Sequence, residues 1–267
     1  MPVLFKALLW YIPLLIISMA AGILIFDEDK KISRKTYLGR VKECRGYFVI
    51  LVLVMIGIKI ENILQDRFSI GHDFTWLIYK IEGTKIIVFL QSAIENKFFI
   101  HFISIFYLFS FFYVVVFTPI IFILRGERGF AKISTYIILI NYMILIPFYL
   151  FFNVSVTCSY PEIKPLLYSN EQYKALVLLA DRLTDNFPSG HISVLSGLCL
   201  IILKHNDMKR YKIFVFITTI FMPFVILYLG IHWLMDVFSG FILGFLSYSI
   251  AKNEKISGLF DEIIGKF

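Results

Sequence analysis

Long apolar runs alternate along this chain with short connections rich in charge. Seven runs stand out, at residues 7–26, 46–60, 98–124, 133–153, 190–204, 212–230 and 232–251. A helix needs about 20 apolar residues to cross a hydrocarbon core of ~30 Å, so the pattern predicts a polytopic bundle. The second and fifth runs are short, which predicts a tilted or partly re-entrant segment at one of them. The first run, Ala7 to Phe26, is longer than the apolar core of a secretory signal, and no small-residue cleavage site follows it. It reads as a retained span. Pro13, Pro119, Pro147 and Pro223 fall inside the runs, where neighbouring helices let a kink be tolerated.

Two stretches between runs carry a different pattern. In segment 61–97, Phe74, Leu77, Ile78 and Ile81 share one helical face, while Asp73, Lys80 and Glu82 interrupt the apolar run. That spacing predicts an amphipathic helix lying at the membrane interface. The connection Val154 to Asn186 predicts a short helix across Asn170 to Leu183. The fold class expected is therefore all-α: a polytopic transmembrane helix bundle of six or seven spans with an interfacial amphipathic helix.

Composition sharpens this. Of the 267 residues 59% are hydrophobic and 29 are phenylalanine, far more apolar surface than a soluble domain of this length buries. The net charge of +7 is then no sign of a nucleic-acid partner, because its distribution follows the loops. With seven spans, 17 basic residues lie on one side, among them Arg34, Lys35, Arg40, Arg125, Arg128, Lys209 and Lys266, and nine lie on the other. Cytoplasmic loops carry the excess of Lys and Arg. The N-terminus is thus expected outside and the C-terminus in the cytoplasm. Cys44, Cys158 and Cys199 are far apart and follow no metal-ligand or disulfide spacing.

Against this background the polar stretch Thr184-Asp185-Asn186-Phe187-Pro188-Ser189-Gly190-His191 is conspicuous, because it runs straight into an apolar segment. Pro188 fixes φ, Gly190 admits close backbone approach, and Ser189 can cap the helix that follows. The free N–H groups of a helix start suit an anion, and a histidine there moves a proton near neutral pH. A second polar point follows the sixth run, where His232 and Asp236 are four residues apart and share a helical face. The carboxylate can fix the imidazole tautomer and leave the other nitrogen free as a nucleophile or base. Taken singly, the first motif fits a serine-capped helix start and the second a buried structural pair. The expected topology puts both at the outer face, joined by two spans, and together they define a shared site. His72, His101 and His205 have no second motif as partner and read as structural.

Phe187-Pro188-Ser189-Gly190-His191 followed by His232-Trp233, Asp236-Val237 and Gly240 resembles the type-2 phosphatidic-acid phosphatase superfamily, over about residues 70 to 252. That group includes polyprenyl-diphosphate phosphatases and, more distantly, lipid headgroup phosphotransferases. The resemblance implies an organisation of 1–69 as an N-terminal extension with two spans, 70–252 as the catalytic membrane domain, and 253–267 as a cytoplasmic tail. It implies chemistry without metal or cofactor. His232 would attack phosphorus and form a phosphohistidine, Asp236 would orient it, and His191 would protonate the leaving oxygen and then activate water or another acceptor. Ser189 and the Gly190 amide would hold phosphate oxygens. The substrate implied is a lipid phosphate or diphosphate, of phosphatidate or polyprenyl type, met from the bilayer at the outer face of the cell membrane.

The chain departs from the family pattern at its cations. No Arg-Pro pair is present, and the positions of the usual Ser-Arg before the second histidine are Val225 and Ile226. Phosphoryl transfer depends on neutralising the equatorial oxygens, so Lys164 and Arg182, in the loop that feeds the site, are the candidate substitutes. The missing arginines keep two other functions open: a headgroup phosphotransferase similar to inositol-phosphorylceramide synthases, and a non-catalytic lipid-binding or transport protein.

Overall fold

The computed structural model describes residues 2–32, 37–68 and 70–264. Arg34, Lys35 and Lys266 of the loop-charge count, and Ser69 at the expected boundary of the extension, lie outside the described residues. The described residues form helices α1 (Val3–Phe26), α2 (Tyr37–Glu43), α3 (Arg45–Phe68), α4 (Thr75–Glu82), α5 (Lys85–Ala93) and α6 (Lys97–Arg125). The second half carries α7 (Arg128–Phe151), α8 (Glu171–Ala180), α9 (Gly190–Lys204), α10 (Lys209–Tyr228), α11 (Leu234–Lys252) and α12 (Glu254–Ile264). Two-residue strands β1 (His72–Asp73) and β2 (Phe152–Asn153) pair in parallel.

Six of these helices are long and apolar enough to cross a membrane: α1, α3, α6, α7, α10 and α11. The seventh apolar run forms α9, which has only 15 residues and rises about 22 Å. It is the innermost helix, with ten of its residues buried, and it packs against α11, α10, α7 and α6. The run at 46–60, which looks short in sequence, extends to Phe68 as the 24-residue α3. Of the two short runs, α9 alone is therefore a short helix.

The tightest packing joins α9 to α11, and small residues permit it. A Cβ on Gly240 would lie 2.9 Å from the Ser189 carbonyl oxygen, and one on Gly244 would lie 2.5 Å from that of Ser193. Two glycines one turn apart thus let the backbones approach as close as helices in a membrane can. Asn141 on α7 completes the seam, donating from Nδ2 to the Ser247 hydroxyl at 2.7 Å.

The two ends of the bundle differ. At one end the loops after α1, α6 and α9 meet in an ion-pair network. The Arg125 guanidinium is fully buried and bonds Asp27 at 2.6 Å, Asp29 at 2.9 Å and Glu127 at 3.2 Å. Lys31 Nζ bridges Asp29, Glu127 and Asp207, and His205 Nε2 meets Glu127 at 2.6 Å. His205 is thus a structural partner, as its isolation in the sequence suggests. At the other end lie β1, α4, α5, α8 and the turns before α9 and α11.

The amphipathic segment expected around 74–81 forms α4, with Ile78 buried and Trp76, Leu77 and Ile81 exposed. It also does something that the sequence does not advertise. Glu82 accepts the backbone N–H groups of Leu234 and Met235 at 2.8 and 3.0 Å, so α4 caps the start of α11. Burial pushes the Glu82 carboxyl above its usual pKa. The helix expected across 170–183 is α8, capped by Asn170, whose side chain accepts from Gln172 and Tyr173.

Candidate active site

The turn before α9 is held from several directions. Val154 N–H donates to the Thr184 carbonyl at 2.9 Å and Val156 N–H to that of Leu183 at 2.8 Å. Asn186, 3% exposed, donates from Nδ2 to the Val154 and Leu183 carbonyls. Ser189 then caps α9, accepting Ile192 N–H on Oγ at 3.4 Å. Its own N–H donates to the Asp236 carbonyl at 3.1 Å, across the glycine seam.

The turn before α11 is held by the segment 157–158. Thr157 N–H donates to the Ile231 carbonyl at 3.2 Å and Cys158 N–H to that of Gly230 at 3.0 Å. Gly230 has φ +76°, a left-handed conformation that most side chains resist. This bend delivers His232 beside Ser189. Trp233 is fully buried and donates from Nε1 to the Ser155 carbonyl at 2.9 Å.

Asp236, completely buried, organises the second motif. Its Oδ2 accepts Trp233 N–H at 2.8 Å and meets His232 Nδ1 at 3.1 Å. With Nδ1 bearing the proton, the lone pair of His232 falls on Nε2, which lies 3.3 Å from Ser189 Oγ. The arrangement is a carboxylate–imidazole–hydroxyl relay in which Nε2 can serve as a nucleophile or base. His191, on the first turn of α9, faces it with 5.9 Å between ring centroids. Its ring is held by Tyr107, stacked at 4.7 Å, and Phe111, tilted at 4.2 Å. Gly190 lies against Tyr149, whose hydroxyl donates to the Pro188 carbonyl at 3.0 Å.

Both histidines line one small cavity of ≈ 30 Å³. Of the other residues singled out from sequence, Gly190 and Arg182 line it as well, and Ser189 and Asp236 stand behind His232. Arg182 is tied to α3, bonding the Asn62 carbonyl at 3.1 Å and the Asp66 carboxylate. Its Nε is buried without a partner among the described residues. Lys164 is not brought to the cavity: its ammonium is exposed and paired with Glu95, while its backbone N–H and carbonyl bond Gln91. Lys164, a candidate phosphate-binding cation in the sequence, is thus absent from the cavity wall, because Glu95 lies within reach of its flexible stem on the exposed surface of the protein. Val225 and Ile226 are fully buried apolar residues, so no cation replaces the family's Ser-Arg there.

Several wall residues carry no local sequence signal. Tyr107, Phe111, Tyr142, Tyr149 and Tyr168 come from three separate parts of the chain, and Asp181 and Asp185 flank Arg182. Burial and the neighbouring Asp185 push the Asp181 carboxyl up to about 7. Burial likewise raises Asp185 to about 6 despite the nearby Arg182. The sequence Asp181-Arg182-x-x-Asp185 reads as ordinary loop charge until the fold closes over it. At the opposite end, Glu127, His205 and Asp207 bring possible metal-ligand atoms within 4.8 Å of one another. Lys31 and Arg125 already supply positive charge to two of them, so the group works as an ion-pair network.

The fold and site are those of a polytopic membrane protein with two histidines converging from the first turn of α9 and the turn before α11. Residues 157–253, about a third of the chain, match the family model of the PAP2 superfamily. That match runs from the 157–158 segment through α11 and supports the resemblance to the type-2 phosphatidic-acid phosphatase superfamily. No curated protein and no solved structure matches the chain.

Proposed function

We propose that the protein is a membrane phosphoryl-transfer enzyme that cleaves a lipid phosphate ester through a phosphohistidine. The observation that carries this reading is the Asp236–His232–Ser189 relay, with His191 facing it in the same cavity. His232 Nε2 attacks phosphorus, and the P–O bond to the leaving alcohol breaks while His191 gives that oxygen its proton. Water then attacks phosphorus, His191 takes the water's proton, and the N–P bond breaks to release phosphate from a monoester substrate or a phosphomonoester from a phosphodiester. Ser189 Oγ, the Gly190 amide and the N-terminal dipole of α9 receive the phosphate oxygens. Arg182 is the cation on the cavity wall.

The bias of basic residues toward the opposite loops supports a site on the extracytoplasmic face, with the C-terminus cytoplasmic. The short α9 starts the site about 22 Å from the other end, less than the ~30 Å of a hydrocarbon core. This supports a lipid substrate entering from the bilayer. The absence of the family's arginine clamps favours one second reading, transfer of a headgroup to an acceptor lipid.

Purified full-length protein in detergent, given a panel of lipid phosphates and phosphodiesters, tests the proposal. Turnover by the wild type, loss with His232→Ala, and an acid-labile, base-stable phosphoryl adduct at His232 are expected. An undiminished rate in His232→Ala would sink the mechanism. Product release without any acceptor excludes an obligate transferase. No wild-type turnover across the panel favours a lipid-binding protein on the same fold.

A further inference from the structure

The cavity has the wrong charge for a dianionic phosphate and the right furnishing for a cation. Two of its ionisable wall groups are carboxylic acids, Asp181 and Asp185, and the single permanent cation, Arg182, is already engaged by Asp66. With both carboxyls ionised, this wall sums to −1. A phosphomonoester or diphosphate adds two or more negative charges to it. A zwitterionic phosphodiester adds none.

The other walls are aromatic. Tyr107 is 3% exposed, lines the cavity, and has no hydrogen-bond partner for its hydroxyl among the described residues. Tyr142 and Tyr168 line the cavity too, with neither a stacking ring nor a hydroxyl partner among the described residues. Aromatic faces and carboxylates around one space are what a quaternary or primary ammonium group seeks. The side chain of Asp181 likewise accepts no hydrogen bond among the described residues.

We propose that the site takes a lipid whose phosphodiester headgroup ends in an ammonium, of choline or ethanolamine type. Asp181, Asp185 and the tyrosine rings receive the cation while phosphorus faces His232. This rests on the phosphoryl-transfer reading of the same site and narrows its substrate class.

Binding and turnover are measured separately, so that the two readings fail separately. Binding is read on full-length His232→Ala, as the shift in melting temperature with glycerophosphocholine against glycerol 3-phosphate. Glycerophosphocholine should stabilise the protein more, and adding Asp181→Asn should abolish the difference. A larger shift with glycerol 3-phosphate, or equal shifts, overturns the cation site whatever the catalytic outcome. Turnover is read on the His232-intact protein in micelles of phosphatidylcholine, phosphatidylglycerol or phosphatidic acid. The choline-to-glycerol ratio of kcat/KM should fall at least tenfold in Asp181→Asn and in Asp185→Asn. An unchanged ratio, or a wild type that prefers phosphatidic acid, overturns the proposal. A choline-specific binding shift without turnover of any lipid leaves the cation site standing and removes the catalytic reading. Where free choline phosphate binds as well as a short-chain phosphatidylcholine, the headgroup alone carries recognition; where it binds much more weakly, the lipid glycerol contributes.

Discussion

Ser189 touches both polar residues of the second motif: its N–H donates to the Asp236 carbonyl at 3.1 Å, and its hydroxyl lies 3.3 Å from His232 Nε2. The cap of α9 is therefore a strut of the histidine at the start of α11. The relay holds its geometry only while α9 and α11 keep their spacing, and this ties the chemistry to the packing of the bundle.

Asp236→Asn keeps the shape of the relay and removes its charge. Oδ2 now accepts from Trp233 N–H and His232 Nδ1, and an amide can satisfy only part of this while holding the imidazole tautomer weakly. The expected loss is about 10²–10⁴-fold in kcat, with KM changed little. Steady-state kinetics with the preferred lipid, alongside a melting curve to exclude unfolding, checks it. A fall in KM affinity with kcat intact would assign Asp236 to binding instead.

Gly244→Ala tests the seam directly. The new Cβ would lie 1.9 Å from Ser196 Oγ and 2.5 Å from the Ser193 carbonyl oxygen. The hydroxyl can rotate away but the backbone oxygen cannot, so the helices must separate. A loss of about 1–3 kcal/mol is expected, with activity falling as Ser189 withdraws from His232. The double variant Gly244→Ala with Ser196→Ala should not recover, because the clash with Ser193 remains. Full rescue would show that only the hydroxyl mattered.

Arg125→Leu breaks the network at the other end of the bundle. The guanidinium is fully buried and Asp27 nearly so, and removal of one partner leaves carboxylates without their counter-charge. Breaking such a pair costs about 3–5 kcal/mol, toward the lower figure here because Asp29 and Asp207 face water. A melting temperature unchanged in detergent would contradict this. Asp29→Asn, removing a partly exposed partner, should cost much less.

Stability should fall as pH rises from 5 to 8. Asp181 is raised to about 7 and Asp185 to about 6 in the fold, from an ordinary 3.8. The folded protein therefore holds protons that the unfolded chain has released, so this stabilisation is complete below about pH 4 and is lost as pH climbs through 6 and 7. Asp181→Asn should flatten the slope of melting temperature against pH. A steeper slope in the variant, or a wild type that gains stability over this range, would refute the assignment.

Much of the fold is legible along the chain. Runs of apolar residues marked all seven bundle helices, since in a bilayer every backbone polar group must be satisfied within its own segment. The polar turn at 184–191 and the His232–Asp236 spacing stood out because polar groups are costly against such a background. Harder to see was the length of α3: Glu61, Gln65 and Asp66 interrupt the hydropathy, yet Gln65 is buried and bonds the carbonyls of Tyr149 and Leu150. Lys164 and Arg182 looked alike as loop cations. Only the fold separated them, giving one to Glu95 at the surface and the other to the cavity wall.

By itself, then, the sequence determined the all-helical membrane architecture and the His232–Asp236 pairing, because periodicity, burial cost and short-range spacing are local properties, while the contact of Ser189 with His232 spans 43 positions. The tertiary structure alone decided that Glu82 caps α11, that tyrosines from α6, α7 and the 152–189 loop converge, and that Asp181 and Asp185 share their space. Those relations depend on contacts between residues tens of positions apart. A glycine seam that sets how closely two helices approach is visible only when both helices are in place.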